Sequence, residues 1–135
     1  MQSELVIEAA VKNLPKVMGF IEQNLENTMC SMKARMQISI ATEEVFVNIA
    51  NYAYAPGKGN ATVRIDVSEE PVVIITFIDN GIPFDPLSRK DPDIGLPASR
   101  RRIGGLGIFM TKKAMDHVEY EYKDGQNILK LKKNL

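Results

Sequence analysis

The run Val72 to Ile78, VVIITFI, constrains the chain most, because it carries no charge and six of its seven residues are β-branched. Such a run suits a central strand covered on at least one face. Neighbouring strands are therefore required, and the flanking sequence supplies them. Thr62 to Val67 alternates apolar and polar residues, and the link Ser68, Glu69, Glu70, Pro71 is short enough for a hairpin. Near the end, Val118, Tyr120 and Tyr122 alternate, Asp124 and Gly125 give a strong two-residue turn signal, and Ile128, Leu129 and Leu131 return as a last strand. At the start, Leu5, Ile7 and Ala9 alternate with Glu4, Val6 and Glu8 as a first strand.

Three helices provide the cover. Asn13 as N-cap, Pro15 in the first turn, and Leu14, Val17, Met18, Ile21 and Leu25 at helical spacing predict a helix over 14–29. Ser31 caps a second helix, in which Met36, Ile40, Val47 and Ala50 form one apolar stripe widened by Ile38, Val45 and Ile49. It ends near Ala55, before the turn residues Pro56, Gly57, Gly59 and Asn60. A third helix opens at Gly104 to Gly107 and runs on through Ile108, Phe109, Lys112, Ala114 and Met115. The order strand, helix, helix, strand, strand, long loop, helix, strand, strand predicts an α+β two-layer sandwich with a mixed sheet. The 135 residues suit one domain over 1–135.

Composition narrows the function classes. With 17 basic against 17 acidic residues, there is no electrostatic case for nucleic acid or a membrane surface as main partner. Cys30 is the single cysteine and has no internal disulfide partner. No segment approaches the roughly 20 apolar residues of a membrane span, and the opening MQSELVIEAA lacks a signal-peptide pattern. The expectation is a soluble cytoplasmic protein.

The chemistry concentrates in three places. Glu44 and Asn48 lie one helical turn apart, so a carboxylate able to act as base sits beside an amide oxygen able to ligate a hard cation such as Mg²⁺. Glu43 is the competing carboxylate, but it lies about 100° around the helix from Glu44 and is not one turn from Asn48. The second place is Asp79 to Pro86, DNGIPFDP, where an Asp at a strand end can accept from an exocyclic amine and Gly81 admits a flat base. The third is IGGLGIF, whose glycines precede a helix N-terminus that offers unpaired amides to phosphate. Neither GxxxxGK[ST] nor a GxGxxG after the first strand is present, which excludes a P-loop and a dinucleotide fold. Pro83 to Arg102 shows no sustained period and contains Arg100, Arg101 and Arg102, a basic run that is ordinarily solvated charge. His117 is the only histidine and lies outside any phosphoacceptor-like helix, which argues against a self-phosphorylating histidine kinase.

The ordered set E-x-x-x-N, D-x-G-x-P-F-D and G-G-L-G-I resembles the N, G1 and G2 boxes of the GHKL ATPases. Within that superfamily the small size and the wording DNGIPFDP resemble the anti-sigma-factor serine kinases, as does the ending AMDHVEYEYKDGQNILKLKK. The resemblance implies a Bergerat-type ATP-binding fold, a mixed sheet covered by about three helices, with an ATP lid over 83–103. It implies Asn48 as the Mg²⁺ ligand and Glu44 as the base for the hydroxyl that attacks the γ-phosphate. Asp79 would recognise the adenine amine, with Gly81 and Pro83 beside it, while Gly105, Leu106 and Gly107 would surround the phosphates. Arg100, Arg101 and Arg102 become candidate lid cations, and Asn127 is the nearest match to a Thr that such kinases often place near adenine. Tyr52 stands where many members have a His. The function implied is a Mg²⁺-ATP-dependent serine/threonine protein kinase acting as an anti-sigma factor. It would phosphorylate a small anti-anti-sigma antagonist, bind ATP and ADP, hold or release a sigma factor, and form a homodimer. A nucleotide-dependent binding module without phosphotransfer is the alternative, and an ATPase with water as acceptor is a third reading.

Overall fold

The computed structural model of the chain describes residues 2–26, 28–68, 71–88 and 105–135, with side chains from Met110 onward in the last span. Among these residues five strands form one sheet: β1 (Gln2–Glu8), β2 (Asn60–Val67), β3 (Val72–Asp79), β4 (His117–Lys123) and β5 (Gln126–Asn134). Three α-helices accompany them: α1 (Leu14–Leu25), α2 (Met32–Asn48) and α3 (Gly105–Ala114). The spatial order is β1-β2-β3-β5-β4, so the apolar run VVIITFI takes the central position expected of it.

All four strand pairings are antiparallel, which corrects the expectation of a mixed sheet. The reason lies in the connections. Two successive helices between β1 and β2 return the chain to the end where β1 stopped, so β2 runs back alongside it. Among the described residues one α-helix, α3, stands between β3 and β4, and β4 points the same way as β3, but β5 is inserted between the two and opposes both. Asp124 and Gly125, with φ of 53° and 77°, form the tight turn that joins β4 to β5. Positive φ at both central residues matches the twist of a two-residue hairpin.

One face of the sheet is covered by the helices. Phe77, Ile75, Val63, Ile65 and Leu131 from the strands meet Val17, Ile21 and Leu25 of α1 and Ile38, Val45 and Phe46 of α2. The helix α2 packs against both α1 and α3, and Arg35 of α2 bonds Glu22 of α1 at 3.0 Å.

The buried face of α2 is Ala34, Ile38, Ala41, Thr42 and Val45, whereas Met36 is 63% and Ile40 43% exposed. Ile38 and Val45, expected only to widen the stripe, carry the contact; of the stripe itself Met36 and Ile40 face outward, while Val47 and Ala50 are half-buried. Apolar residues lie on both sides of this helix, so periodicity does not select the inner one. Methionine does not fill the core at this position; Met29, Met32 and Met36 are all exposed.

The helix ends also follow local chemistry. Helix α1 stops at Leu25 rather than at 29, because the Leu25 carbonyl accepts from the Thr28 hydroxyl at 2.6 Å, the Thr28 N–H at 3.1 Å and Arg35 at 3.3 Å. Asn13 makes no side-chain cap; its amide donates to the Glu8 carbonyl at 2.9 Å and ties the helix entry to β1. Ser31 caps α2 as expected, its hydroxyl accepting from Ala34 N–H at 3.1 Å. Ser31→Ala is expected to cost about 1 kcal/mol, read as a lower midpoint in chemical denaturation with unchanged slope.

Candidate active site

The C-terminal end of α2 continues as a π-helical turn, Ile49–Ala53. Such turns carry one extra residue in the backbone ring and recur at functional sites. This one brings α2 down onto the end of β3. The Ala53 carbonyl accepts from Ile82 N–H at 3.1 Å, and Gly81 presses against the same peptide. A Cβ on Gly81 would stand 2.2 Å from the Ala53 oxygen, so no larger residue fits without moving backbone. Tyr54 adds a second fastening. Its hydroxyl donates to the Asn60 carbonyl at 2.6 Å and accepts from Asn80 N–H at 2.7 Å.

Asp79, the last residue of β3, is buried, with only 5% of its surface exposed. Two donors converge on its Oδ1: Gly81 N–H at 2.9 Å and the Asn127 amide at 2.9 Å. The strand register causes this, since Asn127 of β5 lies directly opposite Asp79. Both line one open cleft at this end of the sheet. Val45, Ile49, Phe77 and Leu129 supply apolar walls, and Asn48, Asp79, Asn127 and Tyr120 the polar groups. An apolar slot with a carboxylate at one side suits a flat heterocycle bearing an amine.

Asn127 uses both ends of its amide on the protein. Nδ2 donates also to the Ile82 carbonyl at 2.8 Å, and Oδ1 accepts from Phe84 N–H at 3.1 Å and from the Tyr120 hydroxyl. Burial pushes the Tyr120 phenol up, which keeps the hydroxyl protonated as the donor in that pair.

Glu44 lies one turn before Asn48, outside the cleft walls. Its Oε1 is buried with no hydrogen-bond partner among the described residues. Burial raises the Glu44 carboxyl above its ordinary value; the Asn48 side chain opposes this and the Glu43 charge adds to it. A partnerless carboxylate oxygen beside a cleft requires a reason, and accepting a proton from a bound hydroxyl is one.

No group of three or more His, Cys, Asp or Glu side chains converges to hold a metal ion among the described residues. Mg²⁺ nevertheless fits this donor set, since it commonly takes one or two protein oxygens and fills its remaining positions with phosphates and waters. Asn48, on the cleft wall, is the residue that would offer the protein oxygen.

Of the residues singled out from the sequence, Asn48, Asp79 and Asn127 come together on the cleft wall. Glu44 and Gly81 stand beside it, whereas Pro83 is exposed and does not line it. Gly105, Leu106 and Gly107 form the first turn of α3, and Arg100, Arg101 and Arg102 lie outside the described residues, as does most of the span read as a lid. Sequence reasoning missed Phe84, Pro86 and Tyr120 as walls. The alternation of Val118, Tyr120 and Tyr122 was the available signal, since it sets Tyr120 on the same face of the strand as Val118.

Comparison with known proteins agrees with this fold. The profile of the histidine kinase-like ATPase domain matches residues 7–133. A serine-protein kinase RsbW of Listeria monocytogenes is 32% identical over 107 residues, covering 76% of this chain and 68% of that protein. One of Bacillus cereus, also called serine-protein kinase RsbW, is 26% identical over 131 residues, covering 94% and 75%. Among solved structures, the RsbU and RsbW domains of Rv1364c from Mycobacterium tuberculosis superpose with a TM-score of 0.71 at 15% identity. The match covers this whole chain and 32% of the mycobacterial one. A blue-light-activated histidine kinase of Erythrobacter litoralis gives a TM-score of 0.60 at 14% identity over 93% of this chain and 60% of its own. With a profile match over nearly its whole length and RsbW relatives among its neighbours, the chain belongs to the histidine kinase-like ATPase domain family.

Proposed function

We propose that this protein is a Mg²⁺-ATP-dependent serine/threonine kinase that phosphorylates a small antagonist protein and, by exchanging partners, holds or releases a sigma factor. One observation carries the reading: a buried, partnerless Glu44 oxygen one turn from Asn48, beside a cleft closed by a buried Asp79. Asp79 accepts the amine of the base, and the apolar walls hold the ring. Asn48 would hold Mg²⁺ through its amide oxygen, and the bound ion would supply charge neutralisation for the phosphates. Glu44 takes the proton from the incoming serine or threonine hydroxyl, and its raised carboxyl pKa makes it a better base than an exposed glutamate. Phosphoryl transfer depends mainly on positioning and charge, so this set is sufficient in kind. A homodimer, a single domain over 1–135 and contacts from Gly105, Leu106 and Gly107 to the phosphates belong to the same proposal. The kinase names of the relatives support it.

Transfer of labelled γ-phosphate from Mg²⁺-ATP into proteins of a lysate of the source cell tests the reading. A small acceptor labelled on serine or threonine is the expected result. Confirmed ATP binding with no labelled acceptor would replace the kinase by a nucleotide-gated binding module. Asn48→Ala is expected to remove the Mg²⁺ dependence of ATP binding, measured by titration with and without the ion; unchanged dependence would refute Asn48 as ligand.

A further inference from the structure

Asn127 lies on the cleft wall, yet both of its amide hydrogens and both of its acceptor positions face protein partners. Its orientation is also unique. Turning the amide over would set its oxygen against the Asp79 carboxylate and the Ile82 carbonyl, and its NH₂ against the Phe84 N–H. No hydrogen-bonding capacity is left over for a ligand.

We infer that Asn127 is the positioning residue for recognition of the base: it fixes the Asp79 carboxylate and the Ile82 to Phe84 wall, and does not itself contact the nucleotide. This rests on the reading of the cleft as an adenine site. Among the described residues, every side-chain hydrogen bond of Asp79 falls on Oδ1, from Gly81 and Asn127. Oδ2 is left with no protein partner among the described residues, on a side chain that lines the cleft. Held this way, Oδ2 is a single fixed acceptor, matched to an amine donor. A 6-oxo purine would present a carbonyl oxygen to the same carboxylate. The Gly81 N–H and the Asn127 NH₂, the donors that converge on Asp79, are already committed to the protein. Discrimination between the two base types therefore depends on Asp79 keeping its rotamer, and Asn127 holds that rotamer through the side chain directly opposite in the sheet.

The test is calorimetric titration of the whole chain with ATP and with inosine triphosphate, which carries a carbonyl in place of the amine, both with Mg²⁺. Wild type is expected to prefer ATP. For Asn127→Leu the Kd for ATP should rise about tenfold, the loss of one hydrogen bond's influence on a charged group, while the Kd for inosine triphosphate stays nearly constant. The preference would then collapse. Should the leucine variant fail to fold by circular dichroism, Tyr120→Phe, which removes only the donor to Asn127 Oδ1, should lower the same preference about threefold. Equal weakening of both nucleotides, or an unmoved ratio in the variant that folds, would overturn the inference, because a residue that merely supports the cleft affects both alike. A wild type that binds the two nucleotides equally, or neither, would instead remove the adenine reading and the inference with it.

Discussion

Glu44→Gln is expected to lower phosphate transfer by about 10² to 10⁴-fold, the usual contribution of a positioned general base, while ATP binding stays near wild type. Glutamine keeps the size and one acceptor oxygen, so the neighbourhood of Asn48 is preserved and only the proton acceptor is lost. Single-turnover transfer beside equilibrium ATP binding separates the two effects; intact transfer would mean that another group takes the proton. The pH profile gives an independent reading. Burial holds the Glu44 carboxyl above the ordinary carboxylate range, so the wild-type rate should fall on acidification at a higher pH than an exposed glutamate would give. The glutamine variant should lack that limb.

The same shift has a stability consequence. The folded-state pKa is raised, so between the unfolded value of about 4.3 and the folded value the native state binds more protons than the unfolded chain. Stability associated with Glu44 is fully present below the unfolded value and is lost as pH rises through the folded one. At neutral pH an ionised Glu44 therefore costs stability, and Glu44→Gln should unfold at a higher temperature than wild type. The two should converge in acid. A catalytic substitution that abolishes turnover and raises the unfolding temperature is the signature of a residue kept for function against its packing.

How much of this was legible in the sequence depends on whether the signal was local. The central strand, the Ser31 cap and the Asp124-Gly125 turn were readable, because a few consecutive residues determine each. The inner face of α2 was not: Ala34, Ile38, Ala41 and Val45 on one side compete with Met32, Met36 and Ile40 on the other, and only the sheet decides. Strand direction was misjudged for a related reason, since β5 inserts between β3 and β4 and no local pattern announces it. For the site, the pairing of Glu44 with Asn48 follows from helix geometry alone. The bond between Asp79 and Asn127, 48 positions apart, follows from register, which no stretch of either strand encodes by itself. Asn127 was thus visible only as a likeness to a family position, and its four side-chain hydrogen bonds only in the fold.

Two glycines measure how tightly the cleft is built. Gly81→Ala is expected to destabilise the protein by about 1–3 kcal/mol, as overpacking at a closed site does, and to abolish ATP binding. The added Cβ would meet the Ala53 oxygen at 2.2 Å, its carbonyl carbon at 2.6 Å and its Cβ at 2.7 Å. Two of those atoms are backbone, so relief requires the π-helical turn and the end of β3 to separate. That separation would break the bond from Ile82 N–H to Ala53 and pull the Gly81 N–H from Asp79 Oδ1. Gly19→Ala is the control. It lies inside α1 with nothing within 4 Å of its added Cβ, so alanine should stabilise the helix by about 0.5–1 kcal/mol and leave nucleotide binding unchanged. Chemical denaturation and ATP titration of both variants decide the matter. A Gly81→Ala protein that bound ATP normally would mean that α2 and β3 move apart easily, and that the cleft is not preformed by their contact.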